Sequence, residues 1–280
     1  MKSWQTFIQG FGFKNIRIAG YCWLFNFFFS LLLFFGINQA FLNFAGESVL
    51  ARDVTAGNYF LLLSDFLTHS SSSFLLMLAM GVFFFFLFIL FSFFISSGVY
   101  TVFSTGENPS FLNLLAASWE NFFGFIKVFL VNLVNWAVAL AFSGLVLMVA
   151  VVIQSGLDSD AWLEVWAWSW IVLTVLCLVF ASAIADFSKI WRVKEGRNSF
   201  YCFWKGLRFV FSHARLILAL VLFYLAANAV LLLLVWALFG SLERIAQTPF
   251  WVLLIAYELA VFLRYFLKVS LVRSQVNLAG

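Results

Sequence analysis

Apolar residues in this chain do not alternate with polar ones; they run on. Six stretches, 18–42, 74–103, 125–153, 162–185, 214–240 and 250–269, are apolar almost without interruption. Each is about as long as the roughly 20 helical residues that cross a hydrocarbon core. Barrel strands would alternate over about ten residues instead. In lipid the backbone must satisfy its own hydrogen bonds. The pattern therefore predicts an all-α polytopic membrane protein with six transmembrane helices.

A second pattern precedes alternate runs. A serine is followed by bulky apolar residues one, four and five positions on, in the copies led by Ser3, Ser110 and Ser199. Trp4, Phe7, Ile8 and Phe11 share a helical face. So do Phe111, Leu114, Leu115 and Phe122, and likewise Phe200, Phe203, Trp204, Leu207 and Phe211. Spacings of three, four and seven residues mark amphipathic helices, with each serine where an N-cap belongs. Too short to span, these helices are expected to lie in the membrane interface. The chain then reads as one membrane domain, 1–280, built of three units, 3–103, 110–192 and 199–275. Each unit is an interfacial helix followed by a transmembrane hairpin. All three share one orientation, which implies a pseudo-three-fold axis along the membrane normal.

Composition strengthens the membrane reading. The chain is 65% hydrophobic and 10% charged, and Phe supplies 40 of its 280 residues. Soluble domains are nearer half apolar and a quarter charged. The net charge of +4 matters less than its placement. Fourteen of the 16 Lys and Arg residues fall on one side of the spans; only Arg52 and Arg244 fall on the other. The positive-inside rule then places both termini in the cytoplasm. The first run exceeds a typical signal core of 7–15 residues and is expected to be retained. The outer loop 43–73 is the one long non-cytoplasmic element; it is read as a polar cap over the bundle or as a functional loop. Trp166, Trp168 and Trp170 fit an aromatic belt at an interface.

Candidate chemistry is sparse. Cys22, Cys177 and Cys202 are widely spaced and form no CxxC pair, so packing is their expected role. His69 and His213 fall on opposite sides, which argues against a haem or histidine-rich metal centre. Nucleotide-binding, zincin and esterase motifs are absent. No catalytic residue, metal or cofactor is expected.

What remains are polar residues in the wrong solvent, which are costly and face the interior or each other. Glu258 lies ~12 Å along the last span, near mid-depth. It reads either as a proton- or cation-responsive group or as a neutral carboxyl bonded to a neighbour, the partners in reach being Asn26, Asn132, Asn135 and Asn228. Asn132 and Asn135 share a helix face and are placed to hold a neighbouring helix or a polar ligand. Asp186 and Arg264 have similar expected depth, which suggests an ion pair between the second and third units. The alternative is that Arg264 snorkels to the headgroups and Asp186 pairs with Lys189. Seven cations, Lys189, Arg192, Lys194, Arg197, Lys205, Arg208 and Arg215, are interleaved with Trp191, Phe200, Trp204 and Phe211. Anionic lipid headgroups explain them at about 1 kcal/mol each; a docking surface for a partner protein is the alternative. Nucleic acid is not an expected partner.

The stretch Ala185-Asp186-Phe187-Ser188-Lys189-Ile190, then Glu195-Gly196-Arg197-Asn198-Ser199-Phe200 and Gly206-Leu207-Arg208-Phe209-Val210, resembles uncharacterised bacterial six-pass membrane proteins. These include the membrane region fused to some glycerophosphodiester phosphodiesterases. The resemblance covers mainly residues 180–275 and implies a bacterial inner membrane. No phosphodiesterase domain accompanies it here. The expectation is a non-enzymatic integral membrane protein, an accessory or organising subunit with protein partners in the membrane. The alternative is a permease-like protein for a lipid or small amphiphile.

Overall fold

The computed structural model describes residues 10–47, 71–154, 161–243 and 250–280. Seven long helices account for nearly all of them, and no strand occurs among the described residues. They are α1 (Phe13–Glu47), α2 (Ser71–Thr105), α3 (Phe111–Gln154), α4 (Ala161–Glu195), α5 (Ser199–Ser212), α6 (Ala214–Glu243) and α7 (Phe250–Leu278). Among the described residues, five segments are long and apolar enough to cross a membrane: Lys14–Phe35, Leu78–Thr105, Phe111–Val152, Trp168–Glu195 and Ala214–Leu238. The fold is that of a multi-pass helical membrane protein. Most of the 43–73 loop, with His69, and the first serine-led copy before Gly10 lie outside the described residues.

Two compact units divide the chain. In the first, 21–92, α1 and α2 run antiparallel. Phenylalanines zip them together: Phe29 sits 4.9 Å from Phe91 and 6.2 Å from Phe88 between ring centroids, and Phe25 sits 6.2 Å from Phe91. Offset and tilted rings add to plain area burial. Other large side chains here, Phe34, Phe83 and Phe86 among them, face outward at about 60% exposure. That is a stable arrangement only where the solvent is apolar.

The second unit holds residues up to Gly20 and from Phe93 onward. Its core collects at one end, where α2, α4 and α7 finish, here the basal end. Ile95, Val99 and Tyr100 of α2 are buried there with Leu114, Phe125 and Val128 of α3. Ala181–Ile190 of α4 and Val269–Val276 of α7 contribute further buried side chains. Positive-φ glycines stop two of these helices: Gly106 (φ 73°) follows α2 and Gly196 (φ 64°) follows α4. Their amides donate to Val102 (3.1 Å) and Arg192 (3.0 Å), the usual way a left-handed residue closes a helix.

The serine-led copies fold in different ways. Ser110 caps α3 as expected, its Oγ accepting the Asn113 amide at 3.1 Å. No break follows it. α3 continues for 44 residues, or ~66 Å, about twice a ~30 Å hydrocarbon core, so the expected separate interfacial helix is instead its first turns. The third copy is a helix of its own, α5, ended by the turn at His213. Its N-cap is Asn198, not Ser199. The Ser199 hydroxyl is buried without a partner. It stands inside the first turn, where a side chain no longer reaches back to the free amides.

Candidate functional site

Polar side chains converge at the basal end. The Asp186 carboxylate of α4 accepts Lys189 Nζ one turn on at 3.1 Å. Its other oxygen accepts Gln275 Nε2 of α7 at 3.2 Å. The Tyr100 hydroxyl of α2 faces the same carboxylate, and Lys189 Nζ stands 5.4 Å from the Tyr100 ring centroid. One carboxylate therefore joins three helices that are far apart in sequence. Tyr100 and Gln275 are 3% and 1% exposed, so each depends on protein partners for its polar atoms.

Asp186 does not pair with Arg264. Gln275, eleven residues further along α7, stands level with it. Eleven residues are three helical turns, ~16 Å, so Arg264 keeps nearly the same heading at a different depth. Its side chain is exposed. The expected pair fails because α7 continues to Leu278, past the end of its apolar run.

A second cluster ties the chain's two ends together. Asn15, fully buried, donates from Nδ2 to the Gly10 carbonyl and to Ser270 Oγ (3.1 Å). Its Oδ1 accepts Arg273 Nη1 at 3.1 Å. Ser274 Oγ donates to the Ser270 carbonyl at 2.9 Å. A Cβ on Gly10 would fall 2.7 Å from the Ser270 carbonyl and on top of the Ser274 hydroxyl.

Two similar approaches occur elsewhere. A Cβ on Gly206 of α5 would meet Ser188 Oγ at 2.8 Å and the Ile184 carbonyl at 3.1 Å, both on α4. A Cβ on Gly98 of α2 would meet the Leu114 carbonyl of α3 at 2.5 Å and also the Ser118 hydroxyl. Beside it, Ser97 Oγ lies within 2.9 Å of the Ser118 carbonyl. Thr101 Oγ1 accepts Asn121 Nδ2 at 3.2 Å. Small residues let backbones come this close, and their hydroxyls bridge the gap.

The intramembrane asparagines divide. Asn135 Nδ2 donates across to the Ala181 carbonyl of α4 at 3.2 Å, holding a neighbouring helix as expected. Asn132 and Asn228 donate within their own helices, to Val128 and Tyr224, each at 2.8 Å. Asn132 Oδ1 is buried without a partner. Asn26 is half-buried on α1, and Glu258 is half-buried on α7. The side-chain amides of Asn132, Asn135 and Asn228 donate to backbone carbonyls rather than to Glu258.

The basic segment is partly absorbed by structure. Lys189 is bound to Asp186 and Lys205 to Glu195. Arg192 Nη1 donates to the Gly196 carbonyl (3.1 Å) and to that of Arg197, closing the end of α4. Lys205 and Lys194 stand 3.9 and 5.8 Å from the Trp191 ring centroid, and Arg197 5.1 Å from that of Tyr201. Lys194, Arg197, Arg208 and Arg215 are exposed, next to exposed Phe200, Trp204 and Phe211 on α5. Between them Cys202 is buried, its Sγ 3.6 Å from the Arg197 carbonyl. Burial pushes its thiol above the ordinary 9.0; Arg192 acts in the opposite direction and Glu195 in the same one.

Sequence reasoning missed Tyr100, Asn15, Gln275 and the Ser270–Ser274 pair. The one signal was the i, i+4 spacing of Ser270 and Ser274 beyond the last apolar run.

These features define a class: a polytopic helical membrane protein whose helices are locked by polar contacts at one end. No family model, curated protein or solved structure significantly matches the chain.

Proposed function

We propose that the chain is a six-pass protein of a bacterial inner membrane, with both termini cytoplasmic, acting as an accessory or organising subunit of a membrane assembly. α7 supplies the sixth span. At 29 residues it is ~43 Å long, enough to cross despite Glu258 and Arg264. The basal end carries the cations, which the positive-inside rule assigns to the cytoplasm.

Three repeated units account for the three close approaches. Position seven beyond each repeat serine is Gly10, Ala117 or Gly206. Ala117 and Gly206 are buried, as is Gly10. Gly206 of α5 meets α4, Gly98 of α2 meets α3 beside Ala117, and Gly10 meets Ser270 of α7.

The observation that carries the subunit reading is where polar groups are used. At the basal end they hold the chain's own helices. Farther along α6, Leu232, Leu233, Leu234 and Trp236 are each more than 60% exposed, a wide apolar face suited to a membrane partner. The exposed cations beside α5 suit anionic headgroups. The test is extraction from native membranes in a mild detergent, followed by native mass spectrometry. A stoichiometric membrane protein partner, lost when Leu233 and Trp236 are both changed to Ala, is the expected result. A lone chain, with insertion intact, overturns the reading.

A further inference from the structure

We propose that a cavity at the basal end holds the headgroup of a phospholipid that carries both a phosphate and a primary ammonium, as phosphatidylethanolamine does. The cavity measures about 140 Å³ and is lined by Lys14, Phe103, Glu107, Pro109, Arg273 and Asn277 among others. Its charges are of both signs. Lys14 and Arg273 supply two cations and Glu107 an anion. Yet no ion pair joins Glu107 to either cation, although all three line the same small space. A ligand with one charge of each sign satisfies both sides at once; a purely anionic one leaves Glu107 opposed.

The backbone repeats the same division. α1 starts at Phe13, beside Lys14, and presents the positive end of its dipole. α2 ends at Thr105 and α7 at Leu278, and both present negative ends. Phosphate suits the first side and an ammonium the second.

Arg273 is held in place for this role. Asn15 accepts its Nη1 at 3.1 Å, and a Cβ on Gly12 would lie 2.5 Å from that nitrogen. The guanidinium occupies the space left by the glycine's missing side chain, with its remaining N–H groups available. Lys14 begins one membrane-crossing segment and Phe103 lies in the last turn of another, which puts the cavity at the depth of headgroups. The inference does not depend on a protein partner.

The purified chain is exchanged into nanodiscs containing equal parts phosphatidylethanolamine, phosphatidylcholine and phosphatidylglycerol, and lipids retained on release are identified by native mass spectrometry. One ethanolamine lipid should be retained about tenfold over either competitor, the equivalent of one charge-assisted hydrogen bond. Lys14→Ala, at an exposed position, should lower retention of that lipid about tenfold. Glu107→Gln should remove its advantage over phosphatidylglycerol while leaving phosphatidylglycerol itself bound. Gly12→Ala should act like Lys14→Ala by displacing Arg273 without removing its charge. Equal retention of the three lipids, or an unchanged preference in Glu107→Gln, overturns the proposal. Soluble glycerophosphoethanolamine is added as a competitor. Weak displacement at millimolar concentration supports a bilayer lipid; complete displacement overturns that source and assigns the cavity to a soluble phosphate ester.

Discussion

Replacing Asp186 by Ala removes a group that touches α2, α4 and α7 together. Gln275 suffers most. Its Oε1 already has no partner, and Asp186 is the acceptor for its Nε2. At 1% exposure the whole carboxamide is then left unbonded. An unsatisfied buried polar group costs about 1–3 kcal/mol, whereas interhelical hydrogen bonds in membranes average nearer 0.6 kcal/mol in double-mutant cycles. Tyr100 loses the carboxylate it faces, at a comparable cost. Lys189 loses less, since its side chain is 18% exposed and can turn toward the headgroups. The expected total is about 2–3 kcal/mol. Asp186→Asn keeps one acceptor oxygen and should lose about half as much.

Unfolding in detergent, followed by denaturant titration with near-ultraviolet circular dichroism, reads the loss. The decisive measurement is a pair of cycles. Asp186→Ala with Gln275→Leu should couple by about 1 kcal/mol, because the groups touch. Asp186→Ala with Arg264→Ala should be additive within about 0.5 kcal/mol, since Arg264 stands about three helical turns along α7 from the residue that Asp186 touches. Coupling to Arg264 as large as that to Gln275 refutes the register described above. A single Asp186→Ala variant within about 0.5 kcal/mol of the parent refutes the claim that this carboxylate holds the basal end.

Two further outcomes follow from the packing. Gly206→Ala should destabilise by about 1–3 kcal/mol, the cost of overpacking, because its Cβ would sit 2.9 Å from the Ser188 amide nitrogen. Gly144→Ala meets nothing within 4 Å and should stabilise by up to about 1 kcal/mol through helix propensity; effects of the same sign on the two unfolding midpoints would contradict the close approach. Cys202, in a variant with Cys22 and Cys177 changed to Ala, should resist maleimide at pH 7, and its rate should keep rising beyond pH 9 with no plateau at the ordinary thiol value. Its raised value also means that stability falls as pH climbs from the unfolded thiol's range through the folded one; a rate plateau below pH 9 contradicts the burial.

The helices were legible because lipid makes hydropathy an almost direct record of what crosses it. What hydropathy does not record is where a helix ends once protein, rather than lipid, surrounds it. The run 250–269 stops where Ser270 begins, but the helix does not. Ser270, Ser274 and Gln275 are polar and also buried, which only helix–helix contact explains. This extension alone moves the partner of Asp186 from Arg264 to Gln275. The same limit applies to α3. Its amphipathic start resembles α5 in pattern, yet nothing in 116–127 forces a turn, and the helix runs through Gly124. Conversely, the serine offset that suggested three units also marks Gly10 and Gly206, two residues at close crossings.

The distribution of polar contacts has a physical origin. In lipid, burying apolar surface between helices gains little, since the tails are as apolar as the side chains. Helices are held by close backbone approach and by hydrogen bonds. The close approaches among the described residues sit at or near the basal end, with Asp186 and Asn15 among them. Toward the other end, α3 and α4 keep two cross-links, Asn135 to Ala181 and Trp170 Nε1 to the Ser143 carbonyl at 2.9 Å. In α6 past Asn228, residues 229–238 are Ala, Val, Leu and Trp alone, so the Trp236 indole N–H is the one polar side-chain group that stretch offers. A helix in that state draws little on side-chain hydrogen bonds along its apolar length. Stability along that length then rests on packing and on lipid, while the polar lock stays confined to the basal end.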